Sequence, residues 1–150
     1  MSRESDVATR LNDATLLATL TGGIFQYSAV GLEGITRETA AAAFDGSGWL
    51  KPCALVKQRG AVPDGILQDE IVQKISTRQV VEVWYYADSG AGYAALDTAM
   101  ARVFTLLYGY TFTGAFPAQL VNVLDRQRDA GALAGACMAR QDWLIVSIYG

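Results

Sequence analysis

Residues 70–87 read EIVQKISTRQVVEVWYYA and form the most strongly β-prone segment of the chain. β-branched and aromatic residues crowd its second half, where the polar residues Gln79 and Glu82 interrupt them only in part. A strand of this length is unusual, so we expect a bend or bulge within it, or a division into two strands. Asp88-Ser89-Gly90 ends the run.

Other segments on both sides of this stretch also have strand character. Residues 52–58, 119–126 and 140–149 are predicted to be strands, and residues 24–27 fit a short additional one. Pro63-Asp64-Gly65 is a turn signal, because proline presets φ and glycine tolerates positive φ. The sequence therefore predicts a hairpin-like excursion around Pro63.

Helical periodicity is found in two main segments. Residues 5–20 space their apolar side chains as one helix that ends at Gly22-Gly23. Residues 92–108 carry a second apolar stripe, with Asp88-Ser89-Gly90 available to cap the helix. Residues 36–44 fit two further helical turns. The expected fold class is α+β, with a mixed and mostly antiparallel sheet of about four strands flanked by two main helices.

The chain's length and composition favour a single domain covering residues 1–150. A chain of 150 residues fits one domain, and 51% apolar residues exclude a disordered polymer. Its apolar stretches are too short for a membrane helix, and we expect no secretory signal at the start of the chain. A net charge of −3 argues against a positively charged surface that binds the nucleic acid backbone.

The sequence contains no histidine, which excludes the commonest general base, triad partner and metal ligand. Asp69 and Glu70 form the only adjacent acidic pair, but neighbours along a strand point to opposite faces. Cys53 and Cys137 match no zinc or redox spacing and are expected to be buried small hydrophobes. We therefore predict no catalytic residue, no cofactor and no metal, and hence no enzyme.

Two further features have alternative interpretations. Gly90-Ala91-Gly92 lacks the lysine and hydroxyl of a phosphate loop, so a plain strand-to-helix turn is favoured over a small-ligand site. The aromatic residues fit a sheet core better than a platform for stacking nucleic acid bases. They are Trp84, Tyr85, Tyr86, Trp143 and Tyr149.

The order of these elements resembles a known family. The shared features are an N-terminal helix ending at Gly22-Gly23, a strand at Cys53–Gln58, a strand at Gln79–Tyr86 followed by the helix Tyr93–Leu107, and closing strands that carry the Asp-aromatic-apolar run Asp142–Val146. In this arrangement the chain is similar to the tail terminator, or tail completion, proteins of long-tailed bacteriophages. Residues 28–51 have no counterpart that can be placed.

The resemblance implies a structural virion protein. Such proteins form a ring, commonly a hexamer, that caps the tail tube, stops its polymerisation and offers a surface for joining to the head. The implied partners are other copies of the chain, the tail tube protein and a head-closure or neck protein. DNA would pass through the lumen without specific binding. The implied location is the head-proximal end of the tail, after assembly in the host cytoplasm and without a membrane. A head-closure, adaptor or tail-tube-like role remains the alternative.

Loops and strand ends are the candidate contacts between copies in such a ring. The expected interface residues are Trp49 and Leu50 in a glycine-rich loop, Arg59, Val62 and Ile66 in the Pro63 excursion, and Arg126, Arg128 and Asp129 at a strand end.

Overall fold

One mixed sheet organises the chain in the computed structural model, which describes residues 3–59, 62–68, 73–131, 133 and 135–149. For residues 62–68, 73–76 and 149 the description covers the backbone alone. The sheet has six strands in the order β1-β2-β4-β6-β5, and β3 pairs with β4 beside β2. The strands are β1 (Ile24–Gln26), β2 (Cys53–Gln58), β3 (Val62–Gln68), β4 (Gln73–Ala87), β5 (Gln119–Arg128) and β6 (Cys137–Tyr149).

β4 is a single strand of 15 residues whose pairing with β6 has no register shift, so the expected division into two strands is wrong. Residues 70–72 of the predicted segment lie outside the described residues. The first part of β4 pairs with β3 and its second part with β2 along the same edge, while β6 pairs with residues 75–87 along the opposite edge. Continuous partners on both sides supply backbone hydrogen bonds along most of its length, which explains why a strand this long persists.

The turn predicted at Pro63-Asp64-Gly65 is also wrong, because these residues lie within β3. The register of β3 against β4 shifts between Pro63 and Gly65, as in a β-bulge. A bulge accepts proline and glycine inside a strand, since one residue there leaves the ladder. Pairing with β4 has therefore overridden the local turn signal.

The α+β class and the mixed, mostly antiparallel sheet are confirmed. Only the β1–β2 pair is parallel, and the other described pairs are antiparallel. The expected count of about four strands is too low, because the sheet has six. The additional strands are the short β1, for which the sequence signal was weak, and β3, which carried a turn signal.

The helices are α1 (Arg3–Arg10), α2 (Ala14–Thr19), α3 (Tyr27–Val30) and α4 (Ala94–Leu107). The single helix expected over 5–20 is therefore divided into α1 and α2. Asp13 has extended backbone angles, and its carboxylate accepts a hydrogen bond from the Leu16 N–H at 2.9 Å. Aspartate is a strong N-cap, so it begins a new helix here instead of continuing the first.

α4 confirms the second predicted helix but not its cap. Tyr93 is the N-cap residue and makes no side-chain cap hydrogen bond. Asp88 instead accepts the Gly90 N–H at 3.0 Å within the turn that precedes the helix. Over 36–44 the structure has one hydrogen-bonded turn, in which the Ala40 N–H donates to the Thr36 carbonyl at 2.8 Å and the Thr39 N–H to the Thr36 hydroxyl at 3.1 Å, and one 3-10 turn at Ala41–Ala43.

The sheet has a hydrophobic core on each face. On the first face α1, α2 and α4 cover a core that contains Val83, Tyr85 and Trp143. On the second face residues 28–51 form a cap that packs over Cys53, Leu55 and Tyr86. We call residues 28–51 the cap. Tyr85, Tyr86 and Trp143 are buried, which confirms their assignment to the sheet core.

Candidate assembly surfaces

The described residues form no group of three or more histidine, cysteine, aspartate or glutamate side chains that could hold a metal ion. Within the same residues, no helix is both long enough and apolar enough to cross a membrane. Cys53 and Cys137 are free and buried, as predicted, and burial raises the pKa of the Cys53 thiol to about 12.

β5 is the outermost strand at one end of the sheet and pairs only with β6 among the described strands. Val121 and Val123 each expose about half of their surface. The register against β6 shifts between Leu120 and Asn122, so Val121 has no partner residue across the ladder. An edge strand with exposed valines can pair or pack against another chain, since no second described strand pairs with it.

α4 carries further exposed apolar residues on the helical face of the sheet. Val123 lies opposite Gln141, whose amide donates to the Met100 carbonyl of α4 at 3.3 Å, so Val123 faces the same side as the helix. Phe104 and Tyr108 are both substantially exposed, and their ring centroids stack at 4.7 Å. We call Phe104, Tyr108, Val121 and Val123 the edge surface.

A buried polar atom lies beside the edge surface. The Trp143 indole N–H is buried and has no hydrogen-bond partner among the described residues. Its ring lies 6.1 Å from that of Phe104, centroid to centroid. An unpaired buried donor costs ~1–3 kcal/mol, so the packing of the Trp143 ring in the core must offset this cost.

Sequence reasoning missed the edge surface. Phe104 fell within the apolar stripe of the predicted helix, and a stripe shows which residues share a face without showing whether a neighbour covers all of it. The available signal was the i, i+4 aromatic pair Phe104 and Tyr108 at the end of that helix.

Arg126, one of the expected interface residues, has a positive φ of 52°, rare for a residue other than glycine. Its guanidinium donates to the Asp97 carboxylate of α4 at 2.9 Å and lies 5.7 Å from the Tyr93 ring centroid. These contacts tie the end of β5 to α4. Arg126 is exposed and within reach of a neighbour, but it already has partners inside the protomer.

Arg128 and Asp129 organise the connection between β5 and β6. Arg128 donates to the carbonyls of Ser89 at 3.2 Å and Gly135 at 3.1 Å. The Asp129 carboxylate accepts the Leu133 N–H at 2.9 Å. The structure thus brings these two predicted residues together, and each has a structural role within the loop.

The two predicted residues of the glycine-rich loop differ sharply. Trp49 exposes 62% of its surface, whereas Leu50 exposes 9% and belongs to the core beneath the cap. The Asp45 carboxylate accepts the N–H groups of Ser47 and Trp49, both at 2.9 Å, and so closes the loop. Leu50 therefore faces inward in the single chain, and its part in a contact between copies stays a prediction.

Arg59 lies on the part of the second sheet face that the cap leaves open. It is half-exposed, and its Nε and Nη2 contact Glu82 at 2.7 Å and Asp142 at 3.1 Å. Both carboxylates are buried beneath it, and the hydrogen bond that Arg59 donates to Glu82 raises the pKa of Arg59. The predicted interface residues Val62 and Ile66 are in β3, with side chains outside the described part of the structure.

Trp49 and the edge surface lie on different faces of the sheet. The cap that carries Trp49 packs over the second face and, through Leu50, reaches Ala136 beside the start of β6. The edge surface combines β5 with α4, which covers the first face. The protomer therefore has two different exposed apolar surfaces, one on each face of the sheet.

Comparison with known proteins identifies the fold but no family. No family model matches the chain, and no curated protein matches its sequence. Among solved structures, the chain resembles one from the virion of a native gene transfer agent particle, with a TM-score of 0.52 and 17% sequence identity. The match covers 97% of this chain and 92% of the other, so the likeness extends over the whole domain.

Proposed function

We propose that this chain is a structural virion protein whose copies associate side by side into a closed ring. The observation that carries the proposal is the presence of two different exposed apolar surfaces on opposite faces of one sheet. Ring contacts are heterologous, so each copy needs two distinct patches, whereas a two-fold dimer uses one patch twice. The gene transfer agent virion to which the similar chain belongs supports the virion role.

Within a virion, the ring caps the tail tube, ends its polymerisation and presents the surface that joins the head. Support for this role comes from element order: β4 leads through a glycine-containing turn to α4, and a β5–β6 pair closes the chain with Asp142–Val146 in its last strand. This order is the one that resembles tail terminator proteins. A hexamer, with the tail tube protein on one side and a head-closure protein on the other, follows from the same resemblance.

The experiment that tests the ring is measurement of solution mass by light scattering, with negative-stain images of the same sample. We expect a closed ring, alone or after mixing with the tail tube protein. A chain that stays monomeric under both conditions overturns the proposal.

The position and role of the protein within the virion are tested by omitting it during particle assembly. A tail terminator leaves overlong tubes when it is absent, whereas a head-closure or adaptor protein leaves tailless heads. Electron micrographs of the products distinguish the two roles, and tailless heads would replace the terminator assignment with the adaptor one.

A further inference from the structure

A small cavity separates the cap from the loop that joins β5 to β6. Its volume is about 170 Å³, its floor is Leu55 and Tyr86, and Ile35 and Leu133 form its walls. Leu32 stands at the rim with 94% of its surface exposed, the highest value among the large hydrophobic residues described. We call this cavity the cap pocket.

The Tyr86 hydroxyl makes no hydrogen bond to any described residue, although Tyr86 exposes only 9% of its surface. Burial and the nearby Asp129 charge both raise the pKa of this phenol, so it stays neutral. A neutral phenol can donate one hydrogen bond and accept another. Because the Tyr86 oxygen has no partner among the described residues and is not one of their buried unpaired polar atoms, it is available to a polar group that enters the cavity.

Two carboxylates stand at the mouth of the cap pocket. Glu33 is exposed, and Asp129 uses one oxygen to accept the Leu133 N–H. Neither forms an ion pair with a lysine or arginine of the described residues. The cavity therefore combines an apolar interior with two negative charges that have no countercharge.

We propose that the cap pocket binds the side chain of an arginine from another protein. The methylene stem would pack on Leu55 and Leu133, the cationic group would pair with Glu33 and Asp129, and the Tyr86 oxygen would accept one of its N–H groups. Long basic side chains suit such a site because an apolar stem carries a charged end. The exposed Leu32 would pack against an apolar neighbour of the inserted residue.

The partner is a different protein, not a second copy of this chain. Each arginine of the described residues already has a hydrogen-bonding or charged partner inside its own protomer, and would have to give it up to enter a sibling's pocket. That the partner is another virion component rests on the proposed function. The binding chemistry of the pocket does not depend on ring formation.

The test is a titration of the isotopically labelled full chain with N-acetyl-arginine amide, followed by amide chemical shifts. We expect saturable shifts confined to residues around Leu32, Tyr86 and Leu133, with a dissociation constant on the order of 1–10 mM, since one partly exposed ion pair contributes little. N-acetyl-citrulline amide has nearly the same shape without the charge, and should bind at least about tenfold more weakly.

Three variants complete the design. Glu33→Gln and Tyr86→Phe should each weaken arginine binding several-fold while the remaining spectrum stays that of a folded protein. Glu38→Gln is the matched control, because Glu38 is an exposed carboxylate of the same cap that does not line the cavity. It should leave the titration unchanged.

Absence of shifts at tens of millimolar probe, equal shifts with citrulline, or insensitivity to Glu33→Gln overturns the proposal. Shifts of the same residues that grow with protein concentration alone would show that a second copy fills the pocket, and would overturn the choice of partner. Failure of ring formation in light scattering bears on the proposed function only, so the two failures are distinguishable.

Discussion

Arg102 of α4 holds Asp13 at the start of α2 through two hydrogen bonds, from Nε and Nη2 to the two carboxylate oxygens, each 2.8 Å long. The same carboxylate caps α2 by accepting the Leu16 N–H. The Asp13 side chain therefore interrupts the helix predicted over 5–20 and connects α2 to α4. Charge-assisted, two-point contacts of this kind set geometry as well as contributing energy.

The first prediction concerns acid. The hydrogen bond from Arg102 lowers the pKa of Asp13 from 3.8 to about 2. A carboxylate whose folded pKa is depressed contributes stability above its unfolded pKa, and that contribution is lost as the pH falls from about 4 towards 2. We expect the urea midpoint to fall across this window, and Asp13→Asn to remove part of the fall. Asparagine still caps a helix, so the variant isolates the ion pair. An unchanged acid profile in Asp13→Asn would contradict this account.

The second prediction concerns the edge surface. Val123→Lys places a charge on the outermost strand at a position that is half-exposed, so the protomer should fold with its melting temperature nearly unchanged. In a ring the same charge would be desolvated, and we expect the mass measured by light scattering to fall to that of the protomer. Gln119→Lys, an exposed polar position on the same strand, is the control. Rings that persist in Val123→Lys would exclude the edge surface from the contact.

The third prediction separates the neighbours Trp49 and Leu50. Trp49→Ala should change the free energy of unfolding by less than about 1 kcal/mol, because the side chain is mostly exposed, yet weaken assembly. Leu50→Ala should destabilise the protomer by about 2–4 kcal/mol, because it leaves a cavity beneath the cap. Urea unfolding and light scattering measure the two effects. If Trp49→Ala assembles normally, Trp49 is not part of the contact.

The fourth prediction concerns the charge cluster on the open sheet face. Asp142 is buried and contacts Arg59 at 3.1 Å and Arg140 at 2.9 Å. The Arg140 Nε contact lacks hydrogen-bond alignment and is therefore an electrostatic one. Asp142→Asn leaves two arginines without this countercharge and should cost about 2–4 kcal/mol in the free energy of unfolding.

Asp125→Asn is the matched control for that cluster. Asp125 contacts Arg126 at 3.8 Å, and both side chains are largely exposed, so removing the charge should cost less than about 0.5 kcal/mol. Urea titrations of the two variants give the comparison. If both variants lose equally little free energy of unfolding, burial does not strengthen the ion pairs around Asp142.

Local residue patterns were sufficient for the elements whose signal is repeated along many positions. β4, α4, β5 and β6 were each predicted near their observed bounds. The spacing of apolar residues that indicates a strand or a helix can be read within each segment alone, without knowledge of its neighbours. The α+β class followed from these elements. The burial of Cys53 and Cys137 was also predicted, since isolated thiols behave as small apolar groups.

Tertiary contacts decided the features that depend on distant residues. Asp13 begins a helix whose position is set by Arg102, and Pro63 lies in a strand because β4 offers it a partner. Trp49 and Leu50 are adjacent and both apolar, yet one is exposed and the other is buried. The physical reason is that a sequence records which side chains share a face, whereas burial depends on which other element covers that face, and only the folded chain brings those elements together.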